Sequence, residues 1–302
     1  MKITVIGAGA MGGLFASKLS EKNEVTIIDL NRDLIDKISN DGLLLIEPNG
    51  EEKTYHLRAR TTSEGMEKQD LIILFVKAMF SRSALENNKA LIGDDTFLLT
   101  MQNGMGHENL LGEFVDKDHV LLGTTQHNAS VKALGVNIHG GSGQSYISSM
   151  GKNNDKVELI ASTLSNAEIE CTVSENVKRM IWEKLFTNIS ASVLTGILQK
   201  PLGYIHSDKN AWDLCTKLIQ EAIIVAKADG YEFDYEQKCE GVKKVCTNSP
   251  EGLTSVYADI RNGRKTEVDT ISGAVLKKAN EYGIDVPYTE YSIKLIHALE
   301  NR

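Results

Sequence analysis

Met1-Lys-Ile-Thr-Val-Ile-Gly-Ala-Gly-Ala-Met-Gly12 reads as a buried strand that runs straight into a glycine loop and opens a helix. Ile3, Val5 and Ile6 supply the β-branched apolar strand, and Phe15, Ala16 and Leu19 continue as a helical stripe just after the loop. Within the loop, Gly7 permits the tight turn, Gly9 lets a backbone approach a pyrophosphate, and Gly12 lets helix and strand pack closely. Ala8, Ala10 and Met11 complete a cradle at a helix N-terminus, where free N–H groups and the helix dipole favour phosphate. A glycine triplet alone would mark only a flexible turn. Here Glu24-Val-Thr-Ile-Ile-Asp29 adds a second strand ending in an acid at the expected distance, so the context predicts a dinucleotide site.

The acid bears on which dinucleotide binds. A carboxylate at Asp29 can accept hydrogen bonds from both ribose hydroxyls and repels a 2′-phosphate, which favours NADH over NADPH. Arg32 and Asn31 pull the other way or are neutral, and Asp29 or Asn31 could simply cap a helix that starts near Arg32.

The chain has 302 residues, 41% hydrophobic and 25% charged, which suits a two-domain globular protein. A formal net charge of −8, with no basic cluster interleaved with aromatics, argues against nucleic acid or an anionic membrane as partner. Cys171, Cys215, Cys239 and Cys246 have no metal-ligand spacing and read as reduced thiols without an assigned role. Met1-Lys2 leads directly into the first strand, and the strongest apolar run, Leu71 to Val76, is too short to span a bilayer. A cytoplasmic location is therefore expected.

Strand and helix patterns alternate through the first half. Leu43 to Ile46, a Pro48-Asn49-Gly50 turn and Lys53 to Arg60 resemble a hairpin insertion. Asp70 to Val76 and Thr96 to Met101 are the near-continuous apolar runs of a parallel sheet, and Lys77 and Asn103 lie just beyond their carboxyl ends, where open α/β sheets place ligands. Val120 to Thr125, Val136 to His139 and Gln144 to Ser148 read as antiparallel additions at the sheet edge, with Gly140 to Gly143 as their turn. A helix from Lys156 to Ala167 and a strand from Glu170 to Val173 close this half. From Asn176 onward the pattern is helical: Val177 to Leu198, Lys209 to Gly230, Asp234 to Val245 and Glu267 to Tyr282. The expected fold is α/β, a doubly wound Rossmann-type sheet over residues 1–173 followed by an all-helical domain over 174–302 that binds substrate, with a hinge near 174.

Hydride transfer to a ketone needs an acid to protonate the oxygen, and the helical half must supply it. Lys184, Asn188 and Ser192 recur at four-residue steps beside an apolar stripe of Ile181, Leu185, Ile189 and Val193. By pattern alone that polar stripe is a solvent-facing side. Leu253 to Asp269 forms a dense polar helix junction in which Thr266 with Asp269 suits a capping box and Glu267 suits the helix dipole, again with no function required. His107 and His127 read as structural histidines.

Taken in order, Gly7 to Gly12, Val76-Lys77-Ala78, Gln102-Asn103-Gly104-Met105-Gly106, Trp182-Glu-Lys184-Leu with Asn188, and Ser255 to Asp259 with Arg261 and Thr266-Glu267-Val-Asp269 resemble the ketopantoate reductases (2-dehydropantoate 2-reductases) over essentially the whole chain. The resemblance implies that Lys184 is the general acid and that Glu267 lies close to substrate and lysine. It further implies that Asn188 and Ser255 bind substrate, Asn103 sits by the nicotinamide and Lys77 near the cofactor, NAD(P)H. Helical second domains in this superfamily often pair, so a homodimer is expected.

Three departures bear on substrate and cofactor. Ser192 stands where the family commonly has an asparagine that also faces substrate, Leu202 replaces the asparagine usual after Pro201, and Asp29 lacks the customary basic neighbour for NADPH. The leading expectation is NAD(P)H-dependent reduction of ketopantoate to (R)-pantoate in pantothenate biosynthesis. An NAD-dependent D-2-hydroxyacid dehydrogenase acting on branched or aromatic 2-oxo acids is the same-fold alternative. A noncatalytic dinucleotide sensor is the alternative from another class.

Overall fold

The computed structural model describes residues 1–301. The chain divides into two compact units: Met1–Gln102 with His107–Val177, and Asn103–Gly106 with the chain from Lys178 onward.

The first unit opens with β1 (Lys2–Ile6), α1 (Ala10–Ser20), β2 (Glu24–Ile28), α2 (Arg32–Asp41), β3 (Leu43–Ile46), β4 (Glu52–Tyr55) and β5 (Arg58–Arg60). It continues through β6 (Leu71–Leu74), α3 (Ser81–Asn87), β7 (Phe97–Thr100), α4 (His107–Leu111), β8 (Val120–Thr125) and β9 (Asn128–Ala133). It ends with β10 (Val136–Gly141), β11 (Ser145–Ser149), α5 (Asp155–Asn166) and β12 (Cys171–Val173).

Eight strands form one sheet in the order β12-β11-β8-β7-β6-β1-β2-β5, parallel except where β11 meets β8. The strands from β8 through β2 in this order are buried on both faces, as a parallel sheet covered on both sides requires. Successive residues feed different cores. Ile3, Val5, Ile27, Ile73 and Leu99 pack with Phe15 and Leu19, whereas Ile6, Ile28, Ile72, Leu74 and Leu98 pack with Leu85 and Leu111. The chain runs outward from β1 to β2 on one side and returns to β6 on the other. The carboxyl ends of β1 and β6 therefore flank the topological switch point where such sheets bind ligands.

A second sheet has the order β4-β3-β10-β9, and the strand pairing departs from the sequence reading in four ways. The insertion hairpin is β3–β4 alone, while Arg58–Arg60 leaves it and pairs parallel to β2, because a three-residue edge strand with only Ala59 apolar carries no pattern. Val120–Thr125 is an interior strand of the main sheet rather than an edge addition, and Val136–Gly141 pairs with β3 and β9 instead of joining it. β9 escapes the sequence reading because its residues are almost all exposed and give no alternation.

The second unit is helical: α6 (Val177–Thr187), a π turn (Asn188–Ser192), α7 (Val193–Leu198), α8 (Leu202–Ser207), α9 (Lys209–Ala228), α10 (Tyr235–Asn248), α11 (Ser255–Arg261), α12 (Val268–Tyr282) and α13 (Pro287–Glu300). Asp208 and Asp234 cap α9 and α10 by accepting backbone N–H bonds. The core gathers Trp182, Leu185, Phe186, Ile189, Leu218, Ile219 and Val275, together with Leu202. Thus α9 is buried along one stripe by its neighbours, which is what its amphipathic pattern requires.

Candidate active site

The glycine loop follows from steric necessity. Gly7 has φ +104°, and a Cβ there would lie 2.7 Å from backbone atoms of Phe75 and Val76. A Cβ on Gly12 would fall 1.8 Å from the Gly7 carbonyl oxygen, so only glycine lets α1 sit this close to its own strand. Gly9 is different. A Cβ there meets nothing within 4 Å, so the side of the loop over Gly9 is open. Helix α1 starts at Ala10 without a side-chain cap and without an acid in its first turn. Open space over uncapped N–H groups fits a pyrophosphate.

Asp29, at the end of β2, accepts from Ala8 N at 2.7 Å through one oxygen and from Asn31 N at 2.9 Å through the other. It ties the loop to the second strand while staying partly accessible. The helix cap belongs to Asn31, whose side chain accepts from Leu34 N at 3.2 Å. Lys77 lies beyond β6, half-buried, with its carbonyl accepting from Phe80 N. The sequence-selected residues of this unit therefore collect at the carboxyl ends of β1, β2 and β6.

In the helical unit, Trp182 anchors α6. Its ring is 1% exposed and donates to Asp229 at 3.0 Å, a carboxylate that also holds Lys278 and Tyr282. Lys184 follows two residues later and is only partly accessible. Burial pulls its ammonium below the usual lysine range, and the Glu267 carboxylate opposes that pull. Glu267 sits at the N-cap of α12. The loop Asn103–Gly106 packs with this unit: Met105 N donates to Thr270 O at 2.9 Å, and Asn103 Nδ2 lies 3.5 Å from Glu267 Oε2. Gly104 makes the approach feasible, since its φ is +98° and a Cβ would fall 2.0 Å from Thr270 O. The Glu267 carboxylate thus approaches Asn103 and bears electrostatically on Lys184.

The continuous α-helical stripe expected from Lys184 to Ser192 is interrupted. The π turn inserts an extra residue into the helix between Asn188 and Ser192, so Ser192 leaves the α register and is 7% exposed, whereas Asn188 stays half-buried. The turn's last carbonyl, on Ser192, accepts from Thr195 Oγ1 at 2.7 Å and Thr254 Oγ1 at 3.4 Å. Thr254 also caps α11 by accepting from Tyr257 N, which leaves the first residue, Ser255, exposed. Thr254 therefore connects the π turn to Ser255, a role that no spacing in the sequence announced.

One further sequence reading needs correction. Thr266 and Asp269 do not form a capping box: Thr266 Oγ1 accepts from Val268 N at 3.2 Å and donates to Glu300 at 2.7 Å, and Asp269 pairs with His297. Leu202, which replaces the family's usual asparagine after Pro201, is buried in the apolar core of its unit. The four cysteines are free, and among the described residues no group of three or more His, Cys, Asp or Glu side chains suits a metal. No helix among the described residues is long and apolar enough to cross a membrane.

A doubly wound sheet with an open glycine loop at its switch point, joined to a helical unit that carries a desolvated lysine, defines a dinucleotide-dependent oxidoreductase. Residues 3–152 match the family described as ketopantoate reductase PanE/ApbA, and residues 176–300 match its C-terminal region. The chain belongs to that family. It is 31% identical to a 2-dehydropantoate 2-reductase of Streptococcus pyogenes serotype M6, over 99% of this chain and 98% of the relative. Identity to the Lactococcus lactis subsp. lactis enzyme of the same name is 33%, with the same coverage. Among solved structures, a D-mandelate dehydrogenase with NADH and anilino(oxo)acetate superposes with a TM-score of 0.94 at 30% identity, covering 100% of this chain and 99% of that one.

Proposed function

We propose that the protein is a 2-dehydropantoate 2-reductase, reducing ketopantoate to (R)-pantoate in pantothenate biosynthesis. The observation that carries this reading is a desolvated, partly accessible Lys184 under the electrostatic influence of Glu267, in a chain 31% and 33% identical to 2-dehydropantoate 2-reductases. When bound, the reduced nicotinamide supplies the hydride that adds to the keto carbon.

The chain's residues do the rest. The Lys184 ammonium donates a proton to the keto oxygen as negative charge develops there, and its lowered pKa makes it a stronger acid near neutrality. Glu267 keeps enough of the lysine protonated and orients Asn103. Asn188 and Ser255 hold the substrate, with Ser192 at the end of the π turn beside them. Gly7 to Gly12, Asp29 and Lys77 hold the dinucleotide, and the Asp29 carboxylate favours NADH because a 2′-phosphate would be repelled. The expected assembly is a homodimer in the cytoplasm.

One specific finding favours a second reading. The likeness to a D-mandelate dehydrogenase, together with Asp29 and Ser192, suits an NAD-dependent D-2-hydroxyacid dehydrogenase for branched or aromatic 2-oxo acids. Steady-state oxidation of NADH and NADPH with ketopantoate, 2-oxoisovalerate, 2-oxoisocaproate and phenylglyoxylate separates them. The first reading requires the highest kcat/KM with ketopantoate, and the second requires it with an apolar 2-oxo acid and NADH.

A further inference from the structure

The small sheet β4-β3-β10-β9 has no part in the chemistry above, yet it reaches the glycine loop. Asn137, on β10, is 3% exposed and donates through Nδ2 to Gly9 O at 3.2 Å and Ala10 O at 3.1 Å. Those carbonyls belong to the Gly9–Ala10 and Ala10–Met11 peptide units, whose N–H groups are the first two of α1. Gly9 O also accepts from Gly13 N at 2.8 Å, so the Asn137 amide is an additional donor on a bonded carbonyl. A hydrogen bond on the oxygen of a peptide unit polarises it and makes its N–H a better donor. The amide thus fixes the first turn and strengthens the two N–H groups that point out of it.

Gly13 confirms how closely Asn137 is fitted. It lies outside the Gly7-x-Gly9-x-x-Gly12 pattern, and a Cβ there would fall 2.2 Å from Asn137 Nδ2. The same strand grips the helix again further along. His139, two residues on, meets Glu47 at 2.6 Å, and Glu47 pairs at 2.9 Å with Lys18 on α1, a lysine 4% exposed. Helix α1 is therefore held near both ends by the small sheet.

We infer that Asn137 is a positioning residue for the dinucleotide: from the small sheet, it presets and polarises the peptide units of α1 that receive the pyrophosphate, and Gly13 exists to admit it. The inference rests on the reading of Gly7 to Gly12 as the dinucleotide loop.

NADH titration and steady-state kinetics on the full chain test it, using the 2-oxo acid that the wild type turns over best. Asn137→Ala is expected to raise the Kd and KM for NADH about five- to tenfold, the worth of roughly one hydrogen bond. At saturating NADH, kcat and the KM for the 2-oxo acid stay within about twofold, a split that general loss of structure would not produce. Gly13→Ala provides the second route, because its Cβ displaces the amide without altering β10, and it should weaken NADH comparably. In the double variant, thermal stability should recover relative to Gly13→Ala while NADH affinity stays low. NADH affinity unchanged in folded Asn137→Ala or in Gly13→Ala overturns the role of Asn137. Wild-type protein that binds neither NADH nor NADPH overturns instead the loop reading on which it stands.

Discussion

Two short stretches, Met1 to Gly12 and Met180 to Ser192, carry the proposed chemistry in opposite ways. In the first, the backbone dictates the residues: Gly7 and Gly12 are required because a Cβ would collide with Phe75, Val76 or Gly7 itself. In the second, the backbone is a helix that many sequences could form, and the meaning of Lys184 comes from Glu267 far along the chain and from burial. Steric requirement leaves a mark within the segment itself. Electrostatic environment is assembled from elsewhere, and the local sequence is nearly silent about it.

The comparison breaks most sharply at Lys184. Lys184→Ala should lower kcat by about 10²- to 10⁴-fold, the usual contribution of a positioned general acid, while the Kd for NADH stays within twofold of wild type. Stopped-flow single turnover with an independent NADH titration measures both. Near-normal turnover would remove the lysine from the mechanism and leave the helical segment with only a structural role.

The converse change lies in the loop. Gly12→Ala places a methyl 1.8 Å from a backbone oxygen, so the helix must move away from its strand. Overpacking of this kind costs about 1–3 kcal/mol of stability, and the displaced helix start should lose at least tenfold in NADH affinity. Urea denaturation and NADH titration report the two effects, and a variant with unchanged affinity would show that the helix start does not hold the dinucleotide.

The same contrast explains what was legible beforehand. The main sheet could be read because β1, β6 and β7 are apolar on both faces and alternate with amphipathic helices. The small sheet could not, because β3 and β10 meet from distant parts of the chain and β9 is an exposed edge whose polar residues lack alternation. At the site, the glycine loop and the acid after β2 stood out by spacing. Lys184 and Glu267 emerged only through resemblance to a family, since a polar stripe and a helix cap account equally well for their pattern. The π turn at Asn188–Ser192 was hidden because no residue type demands it. Asn137 was invisible for the reason that makes it informative: its partners are backbone carbonyls, which leave no trace in sequence. Gly13, the extra glycine beside Gly12, was the available hint.

A pH profile sharpens the electrostatic side. The general acid must be protonated, so kcat/KM should fall as pH rises through the lowered pKa of Lys184. Glu267 raises that pKa, and its neutralisation in Glu267→Gln should move the alkaline limb to lower pH. The measurement is kcat/KM for the 2-oxo acid over about pH 6 to 10 in wild type and variant. An alkaline limb that stays in place would mean that Glu267 does not bear electrostatically on the acid.

The smallest effect concerns stability in the nucleotide unit. His127 is 5% exposed, with Nδ1 at 3.1 Å from His139 Nε2, and His139 Nδ1 faces Glu47. The pattern suits His139 donating to Glu47 and His127 donating to His139, which leaves the buried His127 Nε2 as a bare acceptor. Burial first, then His139 and Lys18, push the His127 pKa down to about 4 from 6.5, against the pull of Glu47. Between those values the unfolded chain takes up a proton that the folded chain refuses. Stability should therefore fall as pH drops from 6.5 toward 4, by at most about 1.4 kcal/mol per pH unit from this group. The Glu47 carboxylate, held below its ordinary 4.5 by Lys18 and His139 against desolvation, adds its own loss only at lower pH. His127→Gln keeps a donor for His139 but cannot titrate, so its urea midpoint should vary less than that of wild type between pH 6.5 and 5. Equal slopes in the two proteins would show that the histidine does not refuse the proton, and that the small sheet contributes contacts to α1 without a titrating group behind them.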